Sequence, residues 1–288
     1  MAVAAEAVVE AQIVEHRRGF RRRWYRTPSF VAGISILGVI VLLAIFAPLV
    51  SHSPTYQDLL SQLQGPSWHH PLGTDDLGRD VWARLVYGAR TDLHIAFLAV
   101  LFPFCIGTLL GLLAGYFGGW LDLIVGWLVN TVVAFPFFVL IIALAYAMGP
   151  GSRSIYIAIT IVGWVSYARI VRGEVLVAKR REYVLAARSA GLSNSRIMFR
   201  HLLPNVVTQA IVFSMSDIVL DILAIVTLGY LGIGVQPPTA DWGQEIAEGR
   251  GYLTTHWELA TVPGIAVVVT ALALALIADG LADLLRPE

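Results

Sequence analysis

Residues 182–204, EYVLAARSAGLSNSRIMFRHLLP, are a basic, glycine-broken stretch lodged between strongly apolar segments. The stretch is too polar to span a bilayer, and the segments on either side of it are not. A membrane protein carries a shaped cytosolic protrusion of this kind mainly to be pushed by another protein. It reads as helix, turn, helix. Residues 182–190 are good helix formers, Gly191 suits the position just past a helix end, Ser193 can cap a second helix, and Pro204 marks that helix's end. Small residues at Ala186, Ala187, Ala190 and Gly191 let another backbone approach closely. Lys179, Arg180, Arg181, Arg188, Arg196 and Arg200 suit an acidic rim or anionic lipid headgroups. A basic loop that only touches lipid would carry the same charge. The two-helix pattern with its glycine hinge favours a docking element.

Composition outside this stretch is that of a polytopic membrane protein. The 288 residues are 57% hydrophobic and 14% charged, with mean hydropathy +0.72. Soluble domains carry about 45–50% apolar and about 25% charged residues. Crossing a bilayer takes about 20 mostly apolar residues. Six spans are predicted on that basis, near 30–50, 93–117, 121–148, 154–171, 206–235 and 259–285, so the fold class is all-α. No cleavable signal peptide is read, because Glu6, Glu10 and Glu15 precede the first positive cluster. With the N-terminus inside, fifteen of the twenty Lys and Arg fall on the cytosolic side, which favours this orientation over the reverse. Both termini are then cytoplasmic and 51–92 is external. Zero net charge implies no attraction to nucleic acid. Cys105, the single cysteine, reads as a small packing residue within an apolar run.

The chain cannot hydrolyse ATP through a P-loop, because its one lysine, Lys179, is followed by Arg180 and not by Ser or Thr. No internal repeat supports a self-contained secondary transporter. Neither HExxH nor GxSxG occurs, and scattered Asp and His residues do not make a membrane enzyme.

Several residues are candidates for the transport path. Asp217 and Asp221 share one helix face at i and i+4. Asp217 lies roughly 16 Å into the fifth span at about 1.5 Å per residue. A carboxylate at that depth faces water or a partner, and a peptide's amino terminus or polar groups of another subunit both fit. Pro136 interrupts the third span, as a pore-side kink or as a proline accommodated by its neighbours. Gly107, Gly111 and Gly115 form a stripe for close helix packing. Outside, Thr74 or Asp75 can cap a short helix over 77–90. That helix could lie on the membrane surface to receive a binding protein, or shape the start of the second span. Adjacent His69 and His70 make only a weak metal site.

Longer motifs carry a resemblance. Ala186-Ala187, Gly191 and Leu203-Pro204 are similar in spacing to the EAA loop of ABC-importer permeases. His70-Pro71-Leu72-Gly73-Thr74-Asp75-Asp76-Leu77-Gly78-Arg79-Asp80 and Tyr230-Leu231-Gly232-Ile233-Gly234-Val235-Gln236-Pro237-Pro238, followed by Trp242-Gly243, resemble two signatures of dipeptide and oligopeptide importers. Pro263-Gly264 and Asp279-Gly280-Leu281 resemble the family's last span. From Arg17 onward the chain resembles the C-type permease subunit of those importers, the DppC/OppC family. It departs in placing Leu185 at the acidic EAA position, with Glu182 nearby, and in carrying Trp127 and Asn130 where family members often have charge.

The resemblance implies a type I importer (MetI-like) permease: a cytoplasmic segment 1–29, a first helix 30–50, an external segment 51–92, and a five-helix domain 93–285 with a coupling loop at 178–204. It implies a second permease subunit as a heterodimer partner, two ABC ATPase subunits that use ATP and Mg, and an extracytoplasmic substrate-binding protein. No cofactor is bound by the chain itself, and it is not an enzyme. The implied ATPase-coupling residues are Glu182, Ala186, Ala187, Gly191, Leu203 and Pro204. Pro136, Asp217 and Asp221 are placed on the pathway, and Asp75, Asp76, Arg79 and Asp80 toward the binding protein. The implied cargo is di- or oligopeptide, with nickel or another small solute as the alternative, and the site is the bacterial cytoplasmic membrane.

Overall fold

The computed structural model describes residues 27–285, so the arginine cluster at 17–26 and Arg286 lie outside the described residues. Nine principal helices follow one another: α1 (Pro28–Ile45), α2 (Val81–Phe117), α3 (Gly119–Val133), α4 (Phe137–Met148), α5 (Ser152–Ala178), α6 (Glu182–Ser189), α7 (Leu203–Tyr230), α8 (Trp242–Gly249) and α9 (Glu258–Leu285). No strand occurs among the described residues. Five helical segments are long and apolar enough to cross a membrane, and the α3–α4 pair makes a sixth if it counts as one span.

The centre of the fold is the seam between α2 and α5, the most extensive helix pairing in the chain. The Gly107/Gly111/Gly115 stripe lies in it. A Cβ on Gly111 would sit 2.6 Å from the Ala168 carbonyl oxygen, and one on Gly115 would sit 2.9 Å from the Val175 side chain. Backbones this close gain dispersion contacts that lipid tails cannot supply. Helix α7 packs on both α2 and α5, while α1 lies against α9.

Three boundaries differ from the sequence reading, each for a local reason. The third span is two helices that meet at 90°, because Pro136 starts α4 in an extended conformation and has no N–H to continue α3. The external helix expected over 77–90 is instead the first part of α2. Asp80 caps it, accepting from Trp82 N at 2.9 Å and Ala83 N at 3.4 Å. Pro204 does not end a helix. The second half of the 182–204 stretch runs from Asn194 through a π-helical segment, Ile197–Leu202, straight into α7, where Pro204 occupies the first turn. A first-turn position needs no N–H donor. Cys105 is exposed on α2 and is not a packing residue.

Candidate functional site

The hairpin at 182–204 forms as its sequence dictates. Helix α6 ends at Ser189 with Ala190 as its C-cap, and Gly191 follows with φ +75°. Gly191 N–H donates to Arg188 O at 3.0 Å and Leu192 N–H to Ala187 O at 3.2 Å, a doubly bonded helix end that needs a left-handed residue. Ser193 Oγ then accepts from Arg196 N at 3.4 Å and opens the second helical turn.

This hairpin is a packed body. Val184, Ile197 and Leu202 are fully buried, in one cluster with Leu112 and Tyr116 of α2 and Tyr167, Val171 and Val175 of α5. Each such side chain contributes about 1.5–3 kcal/mol. Tyr116 donates its hydroxyl to Asn194 Oδ1 at 2.8 Å. Force applied to α6 therefore reaches the ends of α2 and α5 directly. The opposite face of α6, Glu182, Leu185, Ala186 and Ser189 at helical spacing, is exposed. Ala187 belongs to the buried face, Leu203 is partly buried and Pro204 is exposed.

Within the membrane, Asp217 and Asp221 are both buried, at 6% and 1% exposure. Tyr167 of α5 donates its hydroxyl to Asp217 Oδ2 at 2.7 Å. Sequence reasoning missed Tyr167, since a tyrosine in an apolar helix gives no signal until the facing carboxylate is located. Pro136 is exposed at the α3–α4 elbow, beside the exposed Phe135, Phe138 and Val139.

The structure turns inward three of the four residues expected to face a binding protein. Arg79 donates to Asp75 at 2.5 Å and to Glu248 at 2.8 Å, and Asp80 is occupied in capping α2. Asp75, Arg79 and Asp80 are buried, and only Asp76 is partly open. Through Arg79 and Glu248 the segment 51–92 is tied to the segment at 236–258. Arg84 lies 3.7 Å from both Glu245 and Glu248. Trp242 is buried with its indole N–H on Leu85 O at 2.9 Å and its backbone N–H on Asp92 Oδ2 at 3.1 Å. A charge at the head of an apolar run, as at Asp92, was the available signal for this stitch.

Burial pushes the Glu245 carboxyl up to about 8, with Arg84 pulling the other way. The folded chain then holds a proton that the unfolded chain releases near 4.5, so this contribution to stability is full in acid and is lost as pH rises through about 8. Melting of the purified protein, followed by tryptophan fluorescence, is expected to weaken from pH 5 to pH 8.5. Glu245→Gln should flatten that dependence, and an unchanged slope would remove Glu245 from it.

A bundle of long apolar helices carrying one packed polar hairpin with an exposed outer face is the architecture of a multi-pass membrane protein. The comparisons agree. Residues 107–288 match the family described as binding-protein-dependent transport system inner membrane component, and residues 17–66 match the N-terminal TM domain of oligopeptide transport permease C. The chain is 38% identical over 259 residues to the dipeptide transport system permease protein DppC of Alkalihalophilus pseudofirmus, covering 90% of this chain and 85% of that one. It is 39% identical to the protein of the same name from Bacillus subtilis (93% and 84% covered). It is 37% identical to the glutathione transport system permease protein GsiD of Pectobacterium atrosepticum (94% and 91%). Among solved structures it resembles a chain of the MetNI methionine ABC transporter in an inward-facing conformation, with TM-score 0.55 at 19% identity, covering 70% of this chain and 97% of that one.

The chain belongs to the family of binding-protein-dependent transport system inner membrane components. It is a transport subunit and not an enzyme, a multi-pass protein of the inner membrane with the type I importer permease fold. It works with ATPase subunits and a substrate-binding protein.

Proposed function

We propose that the chain is one half of the membrane pore of an importer for di- and oligopeptides. The observation that carries this reading is the similarity over more than nine-tenths of the chain to permeases named for dipeptide and glutathione transport. The nickel alternative has no support among those relatives. A sister permease completes the pore, two ABC ATPases hydrolyse ATP with Mg, and an extracytoplasmic protein delivers the peptide. The excess of cations on the hairpin side supports cytoplasmic termini.

Coupling runs through α6. Glu182, Ala186 and Gly191 meet the ATPases, Ala187 anchors the hairpin from behind, and Leu203-Pro204 carries the motion into α7. Closure of the ATPases then rocks the packed helices as bodies between inward and outward access. The Asp217/Asp221/Tyr167 seam joins two helices that this motion loads, and the acids reach cargo only when α5 and α7 part. Asp217→Asn combined with Asp221→Asn is expected to reduce uptake at equal protein level, and unchanged uptake would take the pair out of the transport path. The functional reading as a whole is tested by uptake of a labelled dipeptide in a strain lacking this gene. Restored peptide uptake on complementation supports it, and restoration of nickel uptake alone refutes it.

A further inference from the structure

Where the hairpin meets the membrane there is a cavity of about 380 Å³, lined by Tyr116, Lys179, Arg180, Leu185 and Arg188. Three of these five residues are cations and none is an acid. The nearby Asp122 is already engaged by both Nε and Nη2 of Arg172. Two of the cations are held in place by the fold. Lys179 Nζ donates to Gly115 O at 2.7 Å, leaving two of its three N–H donors for another acceptor. The Arg188 guanidinium stands 5.8 Å from the centroid of the Tyr116 ring. Such placement lowers the cost of ordering long side chains around a bound anion.

The cavity sits at a defined depth. Tyr116 is in the last turn of α2, which ends at Phe117, and Lys179 directly follows α5, which ends at Ala178. The end of α2 therefore lies beside the point where α5 gives way to the polar run Lys179-Arg180-Arg181. The adjoining Phe117 and Trp120 are 53% and 72% exposed, as aromatic side chains are at a membrane–water interface. The exposed residues Glu182 and Ala186 do not line it.

We propose that this cavity is a headgroup site for an anionic phospholipid of the cytoplasmic leaflet, its phosphate held by Lys179, Arg180 and Arg188 and its acyl chains in the adjoining bilayer. The proposal rests on the cytoplasmic orientation given above. A lipid bound there braces the root of the hairpin against α2 and makes transport sensitive to the anionic lipid content of the membrane.

The test uses the assembled complex in nanodiscs of phosphatidylglycerol and phosphatidylcholine, with retained lipid counted by native mass spectrometry and ATPase subunits read in the same spectrum. The wild type is expected to retain phosphatidylglycerol in preference. Arg180→Gln with Arg188→Gln, both at exposed positions, should retain it roughly thirtyfold more weakly with the ATPases still attached. Arg250→Gln removes an arginine that also stands over a tyrosine ring, 5.6 Å from the Tyr230 centroid on the opposite side, and should retain as the wild type does. Equal retention by the double variant overturns the proposal. So does a double variant that keeps its lipid and loses the ATPases, since the cavity is then a protein contact. Loss of peptide uptake by the wild-type complex would instead count against the functional reading.

Discussion

Gly191→Val is expected to abolish peptide uptake while the chain still inserts in the membrane at normal levels. Gly191 has φ +75°, and its open side meets nothing within 4 Å. The cost of substitution is therefore conformational inside the chain and steric toward a partner. A left-handed conformation costs an L residue about 1–2 kcal/mol. A branched Cβ adds to that, so α6 and the 194–202 segment leave their mutual angle. That angle is what α6 transmits, because Val184 and Ala187 bind it to the ends of α2 and α5. Gly191→Asn separates conformation from bulk, since asparagine tolerates the left-handed region, and it should retain much of the uptake. The checks are uptake of labelled dipeptide, membrane yield, and ATP hydrolysis by the purified complex. Normal uptake by the valine variant would deny the turn its role.

Gly111→Leu is expected to remove the folded protein altogether. A Cβ there would lie 2.6 Å from Ala168 O, 3.1 Å from Ala168 Cα and 3.1 Å from Arg172 N, all backbone atoms of α5. No rotamer change relieves such contacts, and the α2–α5 seam must open. Overpacking a tight core costs about 1–3 kcal/mol even when side chains can adjust. Here the displacement runs along the longest pairing in the fold. Gly173→Leu is the control, because a Cβ on that α5 glycine meets nothing within 4 Å. Membrane yield and thermal melting should collapse for Gly111→Leu and hold for Gly173→Leu. Equal yields would show that the two helices are not packed in this register.

The spans and the hairpin were legible because hydrophobicity is additive along the chain and because Gly191 and Ser193 have conformational roles that few residues share. What was not legible depended on partners distant in sequence. Asp75 and Arg79 looked like surface charge until Glu248 and Arg84 were brought beside them. Asp217 and Asp221 looked free to face a pore, and only tertiary packing buried both and set Tyr167 against Asp217. Pro136 announced an interruption, but the apolar run continues on both sides of it and gives no sign of the 90° angle between α3 and α4. Pro204 was read as a stop because the π-helical segment before it, which carries the chain into α7 without a break, leaves no mark in hydrophobic periodicity.

The central claim is that a separate ATPase moves this bundle through the exposed face of α6. Its most direct measurement places a single cysteine at Ala186, with Cys105→Ser removing the exposed native thiol, and cross-links the complex in membranes with and without ATP turnover. The account predicts a covalent product with the ATPase subunit whose yield changes between the two conditions. A cysteine at Ala186 that reacts only with lipid-borne probes while ATP is being hydrolysed would contradict it.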